Sequence, residues 1–215
     1  MTVRLTILML GVAGLAACGG GGTADPGPAT PMPAANTPVV TSNPPATTQT
    51  GTPTPTPSGA APTQSSAVSA ATSCSLPSFQ ADMVREVNAA RGQARSCGGV
   101  AKPAVAALAW NNALFAAASG HSQDMAQRNF FDHINLDGRT PGQRAASAGY
   151  NFAALGENIA AGQRTVSEVM AGWMASPGHC NNIMSGPYTD IAVACVSTTR
   201  FEYPSYWTMV LAKPQ

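Results

Sequence analysis

The sequence predicts an α+β domain in which helices come first and a small, mostly antiparallel sheet follows. Three observations carry this. Apolar residues recur at helical spacing between positions 79 and 128. Two helix-start signatures, at Thr140 and Thr165, lie further along. Two runs rich in β-formers, 191–196 and 206–211, stand near the C-terminal end with turn residues between them.

The elements follow in order. Phe79, Met83, Val87, Ala90 and Ala94 outline a first helix that runs to about position 95, with Ser78 as its N-cap. A second helix is expected over about 110–128, with Leu114, Ala118, His121 and Met125 on its apolar face. Thr140, Pro141 and Gln143 form a capping box with proline at the first helical position. That helix is short and stops near Gly149. Thr165 and Glu168 form another box, opening a helix through Val169 and Trp173 that Pro177-Gly178 ends. Residues 191–196 and 206–211 read as a hairpin with a longish loop, and 155–160 as a third strand.

Composition divides the chain of 215 residues into three. Residues 1–17 carry only Arg4, an apolar run too short to span a bilayer, and the ending Leu15-Ala16-Ala17 before Cys18. This stretch resembles a bacterial lipoprotein signal, which makes Cys18 the lipidated first residue. The odd fifth cysteine fits, since at that site it lacks a partner. Residues 18–73 hold one charge, Asp25, no aromatic residue and eleven of the 18 prolines. Such a segment cannot bury enough apolar surface to offset its ordering entropy. It reads as a disordered tether of polyproline character, spanning about 40 Å as a coil and about 170 Å when extended. Residues 74–215 contain every charge except Arg4 and Asp25, and every Trp, Tyr and Phe; they form one domain. The net charge of +1 excludes a nucleic-acid binder driven by phosphate neutralisation.

An ordered series of short motifs then accumulates: Asn88-Ala-Ala-Arg91, Leu108-Ala-Trp110-Asn111, His121-Ser-Gln-Asp-Met125, Asn129-Phe-Phe-Asp-His133, Gly156-Glu157-Asn158, Trp173 through His179, and Tyr206-Trp207. The series resembles the bacterial branch of the CAP superfamily, which includes cysteine-rich secretory proteins, insect venom antigens and plant pathogenesis-related proteins. The resemblance implies an α-β-α sandwich around a central antiparallel sheet and an extracytoplasmic location, in the outer membrane if the source is Gram-negative.

It also implies a cleft with two histidines and two acids. His133 matches the first histidine, Glu157 the first acid and His179 the second histidine. The second acid of eukaryotic members falls three residues after the helix tryptophan, where this chain has Ser176. Asp190 is a possible substitute; Glu168 is already explained by its cap. Imidazole nitrogen and carboxylate oxygen suit Zn²⁺, and three protein ligands, His133, Glu157 and His179, would leave an open position. No His-Glu-x-x-His pattern occurs. The plain alternative is a hydrogen-bonded polar cluster that fixes loops around the sheet. Ser176, His179 and Glu157 also permit a Ser-His-Glu nucleophile, although no Gly-x-Ser-x-Gly elbow exists. His121 reads as a buried, satisfied histidine, Asn88 and Arg91 as framework hydrogen-bonders, and Phe130, Phe131 and Trp173 as core.

Four cysteines remain for disulfides, with three pairings open. A helix over 79–95 is about 25 Å long, which separates Cys74 from Cys97 by far more than the roughly 6 Å a bridge allows. Cys97–Cys180 with Cys74–Cys195 is preferred, because tying Cys180 to the loop after the first helix braces the proposed cleft. Cys74–Cys180 with Cys97–Cys195 stands next.

The resulting expectation is a lipid-anchored CAP protein of the bacterial cell envelope. Its cleft of His133, Glu157, His179 and Ser176 binds a lipid, a glycan or an envelope protein. The alternative is a metal-dependent hydrolase of peptidase type using the same cleft.

Overall fold

The computed structural model describes residues 67–215. Cys18, the signal 1–17 and all of the tether up to position 66 lie outside these residues.

The β-rich runs form the central layer. Strands β4 (Phe152–Ala161), β5 (Asp190–Ser197) and β6 (Ser205–Pro214) join the two-residue strand β3 (Ala109–Trp110) in the order β3-β5-β6-β4. β5 and β6 are the expected hairpin, with Ile191 opposite Leu211 and Cys195 opposite Trp207. β4 pairs antiparallel with β6, placing Glu157 opposite Val210. β3 runs parallel to β5, so the sheet is mostly rather than wholly antiparallel. Residues 191–195 and 205–212 are buried without alternation, because helices cover both faces.

On one face lie helices α1 (Phe79–Arg91), α4 (Val166–Ala175) and α5 (Pro177–Ile183). Phe79, Met83, Val87 and Trp173 pack there against Val193, Met209 and Leu211. On the other lie α2 (Asn112–Arg128) and α3 (Pro141–Ser147). Here the sheet presents Ala192, Ala194 and Ala212 to Leu114, Phe115 and Ala118. Small strand residues let α2 approach closely, and Ser122 Oγ reaches Thr208 Oγ1 at 2.8 Å. The result is the α-β-α sandwich implied by the motif resemblance. Among the described residues no helix is long and apolar enough to cross a membrane.

Several local expectations are corrected. Ser78 occupies the N-cap position of α1 with φ of 53°, and its side chain caps nothing. α1 ends at Arg91 rather than near 95. Residues beyond it form a second small sheet, β1 (Arg95–Cys97) and β2 (Val100–Lys102), turned by Gly98 and Gly99 at φ of 61° and 87°. Pro177-Gly178 does not simply end α4: Ser176 is a one-residue break, and Pro177 takes the first position of α5. The Thr140–Gln143 box forms as expected. At Thr165 only half the box forms, because the Glu168 carboxylate accepts from the N–H of Arg164 instead.

The disulfides are Cys97–Cys180 and Cys74–Cys195. The second holds a strap. Ala70–Thr72 form one 3-10 turn, Thr72 and Ser73 are buried, and Ser73 bridges to Cys195. The residues just before Cys74 thus pack against β5. Asn88 and Arg91 are framework residues. Asn88 bonds both backbone groups of Leu108. Arg91, fully buried, donates to the carbonyls of Ala106, Ile183, Ser185 and Tyr188.

Candidate functional site

β4 is an edge strand, bonded on one side to β6. Gly156-Glu157-Asn158 lies on it, and each residue has a different task. A Cβ at Gly156 would come within 2.6 Å of Tyr188 Oη and 3.2 Å of Asn182 Oδ1, so only glycine fits. Glu157 shares its sheet face with Leu155 and Ile159, toward α2 and α3. Asn158 points the other way, toward α5, and donates to the His179 carbonyl at 3.2 Å.

Glu157 is completely buried, and both its oxygens are engaged. Oε1 accepts from His133 Nδ1 at 2.9 Å, and Oε2 accepts from Arg144 Nη2 at 2.5 Å. His121 Nε2 lies 4.0 Å from Oε1. Burial alone would push the carboxyl pKa up. The Arg144 charge, then His121 and the His133 hydrogen bond outweigh it and hold the pKa down at about 2. Arg144 also donates through Nη1 to the carbonyls of His133 and Arg139 and to Asn135 Oδ1. Asn135 in turn donates to Asp124 on α2. One guanidinium therefore fastens the loop after α2 to the carboxylate on β4.

The imidazoles retain unused nitrogens. His133 Nδ1 is committed to the Glu157 carboxylate, which leaves Nε2 as its other ring nitrogen. His133 Nε2 is buried and has no partner. His179 Nδ1 is buried and unpartnered as well. Burial, and secondarily the charge of His133, lowers the His179 pKa to about 4, so this ring is neutral at pH 7. His121 donates Nε2–H to the Asp132 carbonyl at 2.9 Å, and its Nδ1 is unpartnered. Burial lowers its pKa to about 4 too.

Two elements hold His179. Cys180, the next residue, is bridged to Cys97, and a Cβ on Gly98 would lie 2.6 Å from Pro177, so the β1–β2 turn packs tightly on the start of α5. Asn182 donates to Asn158 Oδ1 and to the Glu157 carbonyl, and Trp173 Nε1 donates to the Ile159 carbonyl. Those two carbonyls belong to the outer edge of β4, so the helices of one layer satisfy the strand that carries the carboxylate of the other.

His133 and Glu157 therefore meet directly, while His179 is held through its backbone carbonyl by Asn158 of β4. Ser176 is the hinge between α4 and α5. Glu157 is engaged by His133 and Arg144, and no hydrogen bond among the described residues joins its carboxylate to His179. Asp190 lies two strands from β4 and accepts from Tyr150 Oη. Glu168 is an exposed cap. Among the described residues no group of three His, Cys, Asp or Glu side chains is placed to hold a metal ion. Glu157 orients His133 rather than offering a ligand oxygen. His121 and Arg144 are members that sequence reasoning missed. A glutamate inside an apolar strand, Leu155-Gly-Glu-Asn-Ile159, needs a buried cation. Arg144, alone among alanines on a short helix, was the available signal.

The family model described as the cysteine-rich secretory protein family, CAP, matches residues 84–211. The chain belongs to the CAP family. Two curated proteins of Bacillus subtilis (strain 168) are similar to this CAP chain. The uncharacterized protein YkwD is 41% identical over 91 residues, which is 42% of this chain and 34% of YkwD. The uncharacterized membrane protein YlbC is 30% identical over 92 residues, 43% of this chain and 27% of YlbC. The chain thus spans about a third or less of these relatives. Among solved structures, an extracellular protein containing a SCP domain from Bacillus anthracis str. Ames has TM-score 0.45 and 29% identity, covering 51% of this chain and 34% of that one. An outer surface protein from Borrelia burgdorferi has TM-score 0.46 and 20% identity, covering 52% of this chain and 80% of that one.

Proposed function

We propose that this CAP protein is exported, anchored by lipid on Cys18, and binds an envelope or extracellular ligand through His133 and His179. The observation that supports the reading is that His133 Nε2 and His179 Nδ1 are buried without partners among the described residues, while both oxygens of Glu157 are engaged. A buried acceptor left open costs free energy unless something occupies it. Ligands that present hydroxyl or amide donors fit, which favours a glycan, a lipid headgroup or an envelope protein. Nothing in the site supplies a nucleophile.

Binding is tested by co-sedimentation of the purified chain with isolated envelope fragments. His133→Gln and His179→Gln are each expected to weaken binding about tenfold, the loss of one hydrogen bond to an otherwise unmet group. Equal binding by both variants and the parent overturns the reading. The anchor has its own test: Cys18→Ser is expected to leave the membrane fraction or to remain unprocessed. A processed Cys18→Ser form that still fractionates with membranes refutes lipidation.

One observation favours a second reading. A histidine whose Nδ1–H faces a carboxylate while Nε2 stays open is the arrangement that supports metal ligation. A divalent ion there would draw on His133 and His179 alone, with Glu157 behind His133. Two imidazoles fall short of the three protein ligands of catalytic zinc sites. Calorimetric titration with Zn²⁺ separates the readings, since a hydrolase needs stoichiometric binding that His133→Gln abolishes.

A further inference from the structure

A groove of about 930 Å³ opens on the face of the domain formed by α1 and the strap before it. Its lining includes Val68, Leu76, Phe79, Val84 and Trp110. The remaining lining residues are alanines, serines and amides, with one ionisable side chain, Arg85, already paired with Asp82 and Glu86. The groove therefore selects for an uncharged occupant. Trp110 has an unusual feature: its Nε1 is buried and has no hydrogen-bond partner among the described residues. The other two tryptophans, Trp173 and Trp207, are fully buried and donate to backbone carbonyls.

Polyproline chains suit such a surface. They carry carbonyls with no internal hydrogen bonds, lose little entropy on binding, and dock in aromatic-lined grooves where an indole N–H meets a carbonyl. The sequence of this chain contains a Thr-Pro repeat of that composition. Thr52-Pro53-Thr54-Pro55-Thr56-Pro57 bears no charge and is bounded by Gly51 and Gly59. Ten residues, 58–67, connect it to Val68, which is itself part of the groove wall. Ten residues reach at most about 35 Å, whereas the ten-residue stretch of α1 along the groove is only about 15 Å long. The segment can reach back over the groove without strain.

We infer that the groove of α1, the strap and Trp110 is the docking site for the chain's own Thr-Pro segment, residues 52–57. Docking shortens the tether. If Cys18 carries the proposed lipid, docking leaves residues 18–51 instead of 18–66 between the anchor and the domain. The Cys74–Cys195 bridge matters here because it holds the strap, and hence one groove wall, on the sheet.

Trp110 makes the inference measurable, being the one tryptophan of the three that is not fully buried. The test uses the chain from position 18 onward carrying Cys18→Ser, so that no detergent competes for the groove. Acrylamide quenching of tryptophan fluorescence is compared between this protein and a triple variant, Pro53→Ser, Pro55→Ser and Pro57→Ser. The triple variant is expected to quench at least about twofold more strongly. The difference should vanish when Trp110→Phe is added to both. Equal quenching in both proteins overturns the inference. So does a difference that persists without Trp110, or one that disappears on dilution, which would assign the occupant to a second copy of the chain. The substituted prolines lie outside the domain, so circular dichroism should match in both proteins. A second measurement stands apart from fluorescence: adding a free peptide of residues 50–60 should restore protection of Trp110 in the triple variant, and failure at millimolar concentration counts against the inference.

Discussion

Replacing Arg144 with methionine isolates the charge pair on which the site is built. The substitution keeps much of the volume and removes four donated hydrogen bonds, to Glu157 Oε2, Asn135 Oδ1 and the carbonyls of His133 and Arg139. It also strands a fully buried carboxylate, which costs about 3–5 kcal/mol. In the parent, the Glu157 pKa lies at about 2 against 4.5 for the free group. At 1.36 kcal/mol per pH unit that gap is worth about 3 kcal/mol, present above pH 4.5 and lost as pH falls from 4.5 toward 2. Without Arg144 the strongest influence lowering this pKa is gone, and burial pushes it up. The sign then reverses: acid protonates Glu157 and relieves the variant. Urea unfolding of parent and Arg144→Met is expected to differ by about 4 kcal/mol at pH 7.5, with the gap shrinking steadily toward pH 4. Adding Glu157→Gln to both should remove most of the difference and its pH dependence. A penalty that stays the same at all pH values, with or without Glu157→Gln, would refute the charge-pair argument and leave only lost packing.

Other outcomes follow from the same geometry. His121 and His179 have pKa values lowered to about 4, so between pH 6.5 and 4 the unfolded chain binds protons that the folded chain does not. Their contribution is whole above pH 6.5 and lost as pH falls toward 4, by up to about 3 kcal/mol each; unfolding midpoints that stay flat from pH 7 to 4.5 contradict this. Gly156→Ala drives a methyl group into Tyr188 and Asn182 and should cost about 1–3 kcal/mol in chemical denaturation. Removing the Cys97–Cys180 bridge by a double serine substitution should cost about 2–5 kcal/mol, given the 83 residues it spans. It should also broaden the His179 ring resonances, since α5 loses its brace; unchanged line widths would argue that Asn158 and Asn182 hold the helix alone.

Much of this architecture was legible because local chemistry and tertiary contacts agree. Thr140, Pro141 and Gln143 specify a helix start whatever surrounds them, and the β5–β6 hairpin is written in β-branched and aromatic residues. The failures fall where one residue type serves two purposes. Proline ends one helix as readily as it begins another, so Pro177 hid α5. The β1–β2 hairpin rests on Gly98-Gly99 between polar strands too short to show alternation. At the site, the short motifs led to His133, Glu157 and His179. Arg144 and His121 were hidden because their relation to Glu157 runs between layers, and no sequence spacing encodes it. His121 is buried as expected but not satisfied: one ring nitrogen bonds the Asp132 carbonyl, and the other has no partner among the described residues.

The position of the site follows from the need to protect a sheet edge. An exposed edge strand presents unpaired carbonyls and invites pairing with another chain. β4 answers with side chains: Asn182 covers the carbonyl of Glu157, and Trp173 covers that of Ile159. Covering the edge draws α4 and α5 up to β4, and His179 sits in the first turn of α5. The Asn182 amide that satisfies the edge also bonds Asn158 Oδ1, and the Asn158 amide ties down the carbonyl of His179. The two histidines are thus held by a sheet, a disulfide and a buried guanidinium instead of by mobile loops. A ligand that meets their open nitrogens orders little of the protein on binding, so most of the interaction remains as affinity. Loosening the edge should consequently weaken binding without touching either ring. Asn182→Ala, which strands the Glu157 carbonyl and frees Asn158, is expected to lower envelope binding severalfold through faster dissociation, with both histidines intact. Unchanged dissociation in that variant would mean that the rings are positioned independently of the strand edge.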